Sequence, residues 1–143
     1  NARGLILDLR GNYGGLLSNA VDVADYFLDE MPVVIVEGGR LNETQAFYAK
    51  QGKLFDGPMV VLIDGGTASA SEIVSGALKD YRKATLIGTQ TFGKGLVQKI
   101  TPMEAGAGLN ITISRYLTPS KHDINKKGIH PDLVVELTDA DLV

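Results

Sequence analysis

Met59 to Asp80 reads as a strand, a sharp turn and a helix in succession, and no other stretch limits the possible folds so strongly. Met59-Val60-Val61-Leu62-Ile63-Asp64 is a compact apolar run of the kind a buried strand needs. Gly65 and Gly66 break it. Apolar residues then recur at Ile73, Val74, Ala77 and Leu78, which predicts a helix from about Ala68 to Arg82. Ser69 and Ser71 stand at its start, where helix N–H groups have no internal partners and favour negative charge.

The flanking segments follow the same alternation. Gly4 to Leu9 predicts a strand, Arg10 to Gly15 a glycine-dense turn, and Leu16 to Glu30 an amphipathic helix stopped by Pro32. Val33–Val36 predicts the next strand. Leu41 to Lys50 fits a short strand pair, and Ala84–Gly88 a further strand. Leu96–Ile100 and Leu109–Tyr116 predict two strands joined by a turn at Glu104–Gly108. Thr118 to His130 is polar and loop-like, and Pro131 to Leu137 predicts a last strand at a sheet edge. Alternating strands and helices imply a layered α/β fold.

The chain has 143 residues, enough for one domain with a core. A net charge of -3 gives no footprint for nucleic acid. With no cysteine, disulfides, thiol catalysis and cysteine metal sites are excluded. No apolar run approaches the ~18 residues of a membrane-spanning helix.

The candidate chemistry is sparse. Ser69 has two readings. Ser69-Ala70-Ser71-Glu72 fits a capping box, in which Glu72 reaches back to the serine. Ser69 also stands where a nucleophile would have helix N–H groups beside it. A nucleophilic serine needs a base. The only histidines, His122 and His130, lie in or beside the polar loop, and no G-x-S-x-G elbow surrounds either serine. Lys94, between Gly93 and Gly95, is the other candidate. A lysine base must be neutral, a state that burial away from anions favours; otherwise Lys94 is a solvated loop residue. Gln98 is four residues further on, ~13 Å away along a regular strand, so the two meet only if the chain bends at Gly95. Gly88 to Lys94 mimics the start of a phosphate-binding loop, but Gly95 replaces the required Ser or Thr and a strand pattern follows instead of a helix. Nucleotide binding is therefore not expected. Gly14 and Gly15 suit a turn whose N–H groups approach a ligand closely, or simply a tight strand-to-helix turn. Asp80 lies ~16 Å along the helix from Ser69, too far for a hydrogen bond.

GLILDLRGNYGG, GGTASASEIVSGALKD, GTQTFGKGLVQ, RYLTPS and KKGIHPD occur in this order over nearly the whole chain. Together they resemble the C-terminal processing peptidases, or tail-specific proteases. The resemblance implies an α/β fold of the crotonase and Clp-protease type. It implies a single catalytic core over residues 1–143, without the PDZ domain and flanking segments of the family. It implies a Ser-Lys dyad, with Ser69 as nucleophile, Lys94 as base and Gln98 orienting the lysine. The N–H groups of Ala70 and Gly15 match the oxyanion hole, and Asp80 matches a supporting aspartate. Tyr13 stands where members commonly have proline or glycine.

The function so implied is serine endopeptidase action on proteins or peptides near their C-termini, with no cofactor and no metal. The implied partners are substrate C-termini, and the reading admits a homo-oligomer. The implied compartment is the periplasm, cell envelope or plastid lumen. Bound substrate is expected along a strand edge, in Val33–Glu37 or Leu41–Tyr48. Two other readings stand beside this one. One is a non-catalytic carrier of apolar ligands, as retinoid-binding repeats of similar fold are. The other is an isolated piece that holds the motifs without a working site.

Overall fold

A computed structural model describes residues 2–38, 43–104, 107–136, 138 and 141. Its elements are β1 (Leu5–Asp8), α1 (Leu17–Asp25), β2 (Pro32–Glu37), β3 (Thr44–Tyr48), β4 (Met59–Ile63), α2 (Ala70–Asp80), β5 (Thr85–Gly88), β6 (Leu96–Pro102), β7 (Gly108–Leu117) and β8 (Leu133–Val134).

They form two sheets. The first is parallel, in the order β1-β4-β5-β8; the second is antiparallel, in the order β3-β2-β7-β6. Helix α2 touches both β2 and β5, and α1 packs beside it. Its residues Ala70 to Leu78 are all buried. The core therefore lies around α2, with Val61, Ile63 and Leu86 reaching it from the parallel sheet and Val33 and Val34 from β2. Packing of this kind, more than helix propensity, stabilises a helix as short as α2. The α/β layering expected from the sequence is observed.

The parallel strands determine where a site can form. β1, β4 and β5 are neighbours running the same way, so the turns at their C-terminal ends emerge side by side. Those turns are 9–16, 64–69 and 89–95; they carry Gly15, Ser69 and Lys94, and Ala70 follows directly as the first residue of α2. Crevices at such strand ends are the usual binding positions of open parallel sheets.

Four expectations are corrected or narrowed. Helix α1 ends at Asp25, not Glu30. The Tyr26 carbonyl accepts the N–H groups of Leu54 and Phe55, while Phe27 and Leu28 bury themselves in the core outside the helix. Residues 44–48 form one strand, while Leu41 and Asn42 lie outside the described residues. β8 is only Leu133–Val134, at the edge of the parallel sheet, and Leu137 is outside the described residues. β2 has β3 on one side and, along Ile35–Glu37, β7 on the other, while Val33 and Val34 are fully buried, so β2 offers no open edge to a substrate along Val33–Glu37.

Candidate active site

The chain turns sharply between β4 and α2, and Ser69 takes the strain. Its φ is 55° and its ψ is -117°, outside every region that a serine normally occupies. Such a conformation costs ~1–3 kcal/mol and persists only where the surroundings enforce it. Glu72 provides much of that enforcement. Glu72 Oε2 accepts the Ser69 N–H at 2.8 Å, the arm of the capping box predicted from the sequence. The Ser69 side chain is positioned for the reciprocal arm but makes no cap hydrogen bond, and the Glu72 N–H goes to the Ser69 carbonyl at 2.9 Å. The hydroxyl is thus left for other chemistry.

Glu72 does more than cap. It is fully buried. Its Oε1 accepts the Thr91 hydroxyl at 2.5 Å and the Gly93 N–H at 2.7 Å, while Oε2 also accepts the Lys94 N–H at 2.8 Å. Four donors therefore occupy one carboxylate, which is how a buried anion is tolerated without a cation. The backbone nitrogens of Ser69 and Lys94 lie within two hydrogen-bond lengths of each other. The Lys94 loop is held from its other side as well. Thr91 N–H donates to Ile129 O, Ile129 N–H to Thr91 Oγ1, and Lys126 N–H to Gly93 O.

The turn after β1 closes over the same place. Asp64 Oδ1 accepts the Gly11 and Gly66 N–H groups, both at 2.9 Å, and the buried Thr67 hydroxyl donates to Leu9 O at 2.8 Å. Gly14 has φ +89°, and a Cβ there would stand 2.5 Å from Ala68 O and 2.7 Å from Ala70 N. Only glycine allows this approach. Ala70 is the first residue of α2, and its N–H, like that of Gly15, has no hydrogen-bond partner among the described residues. Gly14, Gly15 and Ala70 line one cavity of about 170 Å³ that also receives Leu9, Val23 and Val74. Two unpartnered N–H groups on residues that line one small cavity are the kind of donors a developing oxyanion needs.

The family model for peptidase family S41 matches residues 1–135. This chain belongs to peptidase family S41. A carboxy-terminal-processing protease of Bartonella bacilliformis is 52% identical over 135 residues, covering 94% of this chain and 31% of the relative. A carboxyl-terminal-processing protease of Synechocystis is 49% identical with the same coverages. The solved structure of a photosystem II D1 C-terminal processing protease superposes with a TM-score of 0.83 at 38% identity, covering 94% of this chain and 35% of that one. The chain thus spans about a third of the length of the relatives it matches.

The remaining S41 site candidates are less closely gathered. Lys94 has its backbone fixed but its side chain exposed, so the described residues do not supply the burial that a lysine base calls for. Gln98 is exposed on β6 and its Oε1 accepts from Asn110 Nδ2 at 2.9 Å. Asp80 accepts the Ser120 N–H at 2.8 Å and ties the end of α2 to the 118–122 segment, away from Ser69. His122 and His130 line a separate cavity at that end of α2. Tyr13 is 78% exposed at the tip of the glycine turn. Residues that sequence reasoning passed over are Thr91, which completes the Glu72 cluster, and Asn12, whose Oδ1 accepts from the Gly14 N–H and the Ser71 hydroxyl. Thr91 carries no local signal, because its partners Glu72 and Ile129 are distant in the chain; Asn12 carries one only for its contact with Gly14, two residues on, whereas Ser71 is distant.

Proposed function

We propose that this chain is the catalytic core of a serine endopeptidase that cleaves proteins or peptides near their C-termini through a Ser69–Lys94 dyad. The observation that carries the reading is Glu72 Oε2, which accepts both the Ser69 and the Lys94 N–H at 2.8 Å. It brings together the two residues whose chemistry the family resemblance pairs. The strained backbone of Ser69 and its uncapped hydroxyl support the same assignment.

In this mechanism Ser69 Oγ attacks the scissile carbonyl carbon as neutral Lys94 Nζ takes its proton. The N–H groups of Ala70 and Gly15 hold the oxyanion of the tetrahedral intermediate. The Lys94 ammonium then protonates the leaving amine, giving an acyl-serine, and a water deprotonated by Lys94 releases the new C-terminus. Gln98 orients Lys94 after turning from Asn110. No cofactor takes part. Relatives named as chloroplastic and others from bacteria support a plastid-lumen or cell-envelope setting for this chain too.

The test is cleavage of a peptide with a free C-terminus by the intact protein and by its Ser69→Ala and Lys94→Ala forms. Both variants should lose turnover, and wild-type turnover in either overturns the dyad. Exposure of Lys94 favours a second reading for the isolated 143 residues, which hold the reacting groups without the dry surroundings a lysine base needs. Turnover by the piece equal to that of the intact protein would exclude that reading.

A further inference from the structure

The side chain of Asn12 joins the glycine turn to the helix that follows Ser69. Its Oδ1 accepts two hydrogen bonds, from Gly14 N–H at 3.0 Å and from the Ser71 hydroxyl at 2.8 Å. Its own carbonyl accepts the Ala68 N–H at 3.0 Å, and its N–H donates to Leu9 O at 3.2 Å. Asn12 therefore grips the chain on both sides of Ser69, at Ala68 and at Ser71. Ser71 is buried, so its hydroxyl needs this acceptor.

The consequence lies in which N–H groups remain free. Asn12 occupies the Gly14 N–H, leaving that of Gly15 as the unpaired donor next along the turn. Ser71 directly follows Ala70, the other unpaired donor. One side-chain oxygen thus fixes the separation of the two groups that would bind the oxyanion. The tight seat of Gly14, where an added Cβ would stand against Ala68 O and Ala70 N, makes that separation unforgiving.

We infer that Asn12 is a positioning residue of the oxyanion hole, acting through the Gly14 N–H and the Ser71 hydroxyl and touching no substrate. The inference rests on the proposed Ser69–Lys94 reading. A hole displaced by a fraction of an ångström still binds the ground-state substrate, whose carbonyl carries little charge. It fails the transition state, so the loss falls on kcat and not on KM.

The experiment measures kcat, KM and thermal unfolding for the intact protein carrying Asn12→Ala, Ser71→Ala and both changes. Asn12→Ala should lower kcat by ~10²-fold, the low end for a lost oxyanion donor, with KM within about two-fold. Ser71→Ala, which leaves the Gly14 bond in place, should lower kcat by ~10-fold. The double variant should be no slower than Asn12→Ala alone, because both single changes break the same link. Wild-type kcat in Asn12→Ala, a change confined to KM, or losses that multiply in the double variant would each overturn the inference. Should Asn12→Ala not fold, Ser71→Ala decides alone, and wild-type kcat there overturns it. Ser69→Ala serves as the control. Turnover surviving in Ser69→Ala refutes the dyad, whereas its loss together with an unaffected Asn12→Ala refutes only the role of Asn12.

Discussion

The N–H groups of Ser69 and Lys94 converge on one atom, Glu72 Oε2, each at 2.8 Å. The two residues are 25 positions apart and belong to turns after different strands. A carboxylate oxygen can accept from both because it has two lone-pair directions, and its charge strengthens each bond. The arrangement sets backbone against backbone. The serine and lysine side chains are then carried by a frame that does not depend on either of them.

Glu72→Gln tests that frame. A glutamine can keep one oxygen, but its NH₂ would face two of the four donors that the carboxylate now satisfies. Each stranded buried donor costs ~1–3 kcal/mol. We expect the intact protein to lose about 3 kcal/mol, read from urea unfolding. An unchanged midpoint would mean that the carboxylate does not hold the two turns together.

Much of this was legible in the sequence, and what was not has a common cause. The strand, turn and helix around Ser69 are local features, set by an apolar run, two glycines and a 3.6-residue period. The Ser69–Glu72 arm of the capping box was legible for the same reason. The other three donors to Glu72 come from 19 to 22 residues away, and no local pattern encodes them. The overrun of α1 arose differently. Phe27 and Leu28 continue the apolar spacing because the core takes them, although the backbone has already left the helix. The edge status of β2 was out of reach too, since it depends on β7 pairing back across some eighty residues.

Gly14 and Gly15 should respond oppositely to alanine. At Gly14 the added methyl meets Ala68 O and Ala70 N, both backbone, at a φ of +89° that alanine resists. Neither neighbour can move without displacing Ser69. At Gly15 nothing lies within 4 Å of the added carbon, and the N–H survives the change. Gly14→Ala should therefore lower kcat by at least ~10²-fold, and Gly15→Ala should leave the unfolding temperature unchanged. Steady-state kinetics and thermal melts of both variants check the pair, and the reverse pattern would refute this packing.

Asp56 supplies a pH signature away from the site. Hydrogen bonds from Lys83, and then from Lys53, lower its carboxyl from 3.8 to about 2. A carboxylate depressed in the folded state adds stability that is fully present above its unfolded value and disappears as pH falls through the folded one. The stability difference between wild type and Asp56→Asn should hold steady above about pH 4. It should shrink between there and about pH 2. Because Asp56 is solvent-exposed, the difference should also diminish with added salt. Urea unfolding across that range measures it, and a difference independent of pH would remove the ion pairs as its source.

Gln98 is the candidate whose present partner competes with its proposed role. Its Oε1 is the atom able to accept from a lysine ammonium, and Asn110 Nδ2 now donates to it at 2.9 Å. A neutral hydrogen bond of this kind contributes ~0.5–1.5 kcal/mol net, enough to hold the glutamine away but not to prevent exchange. If Gln98 must swing to another rotamer to orient Lys94 during turnover, that bond must break first. Asn110→Ala should then raise kcat by ~2- to 10-fold, the same energy read as a rate, while Gln98→Ala lowers it and cancels the gain in the double variant. The measurement is kcat for the three proteins on one peptide. A gain in Asn110→Ala that persists without Gln98 would detach the glutamine from the mechanism, because the asparagine would then be restraining some other group.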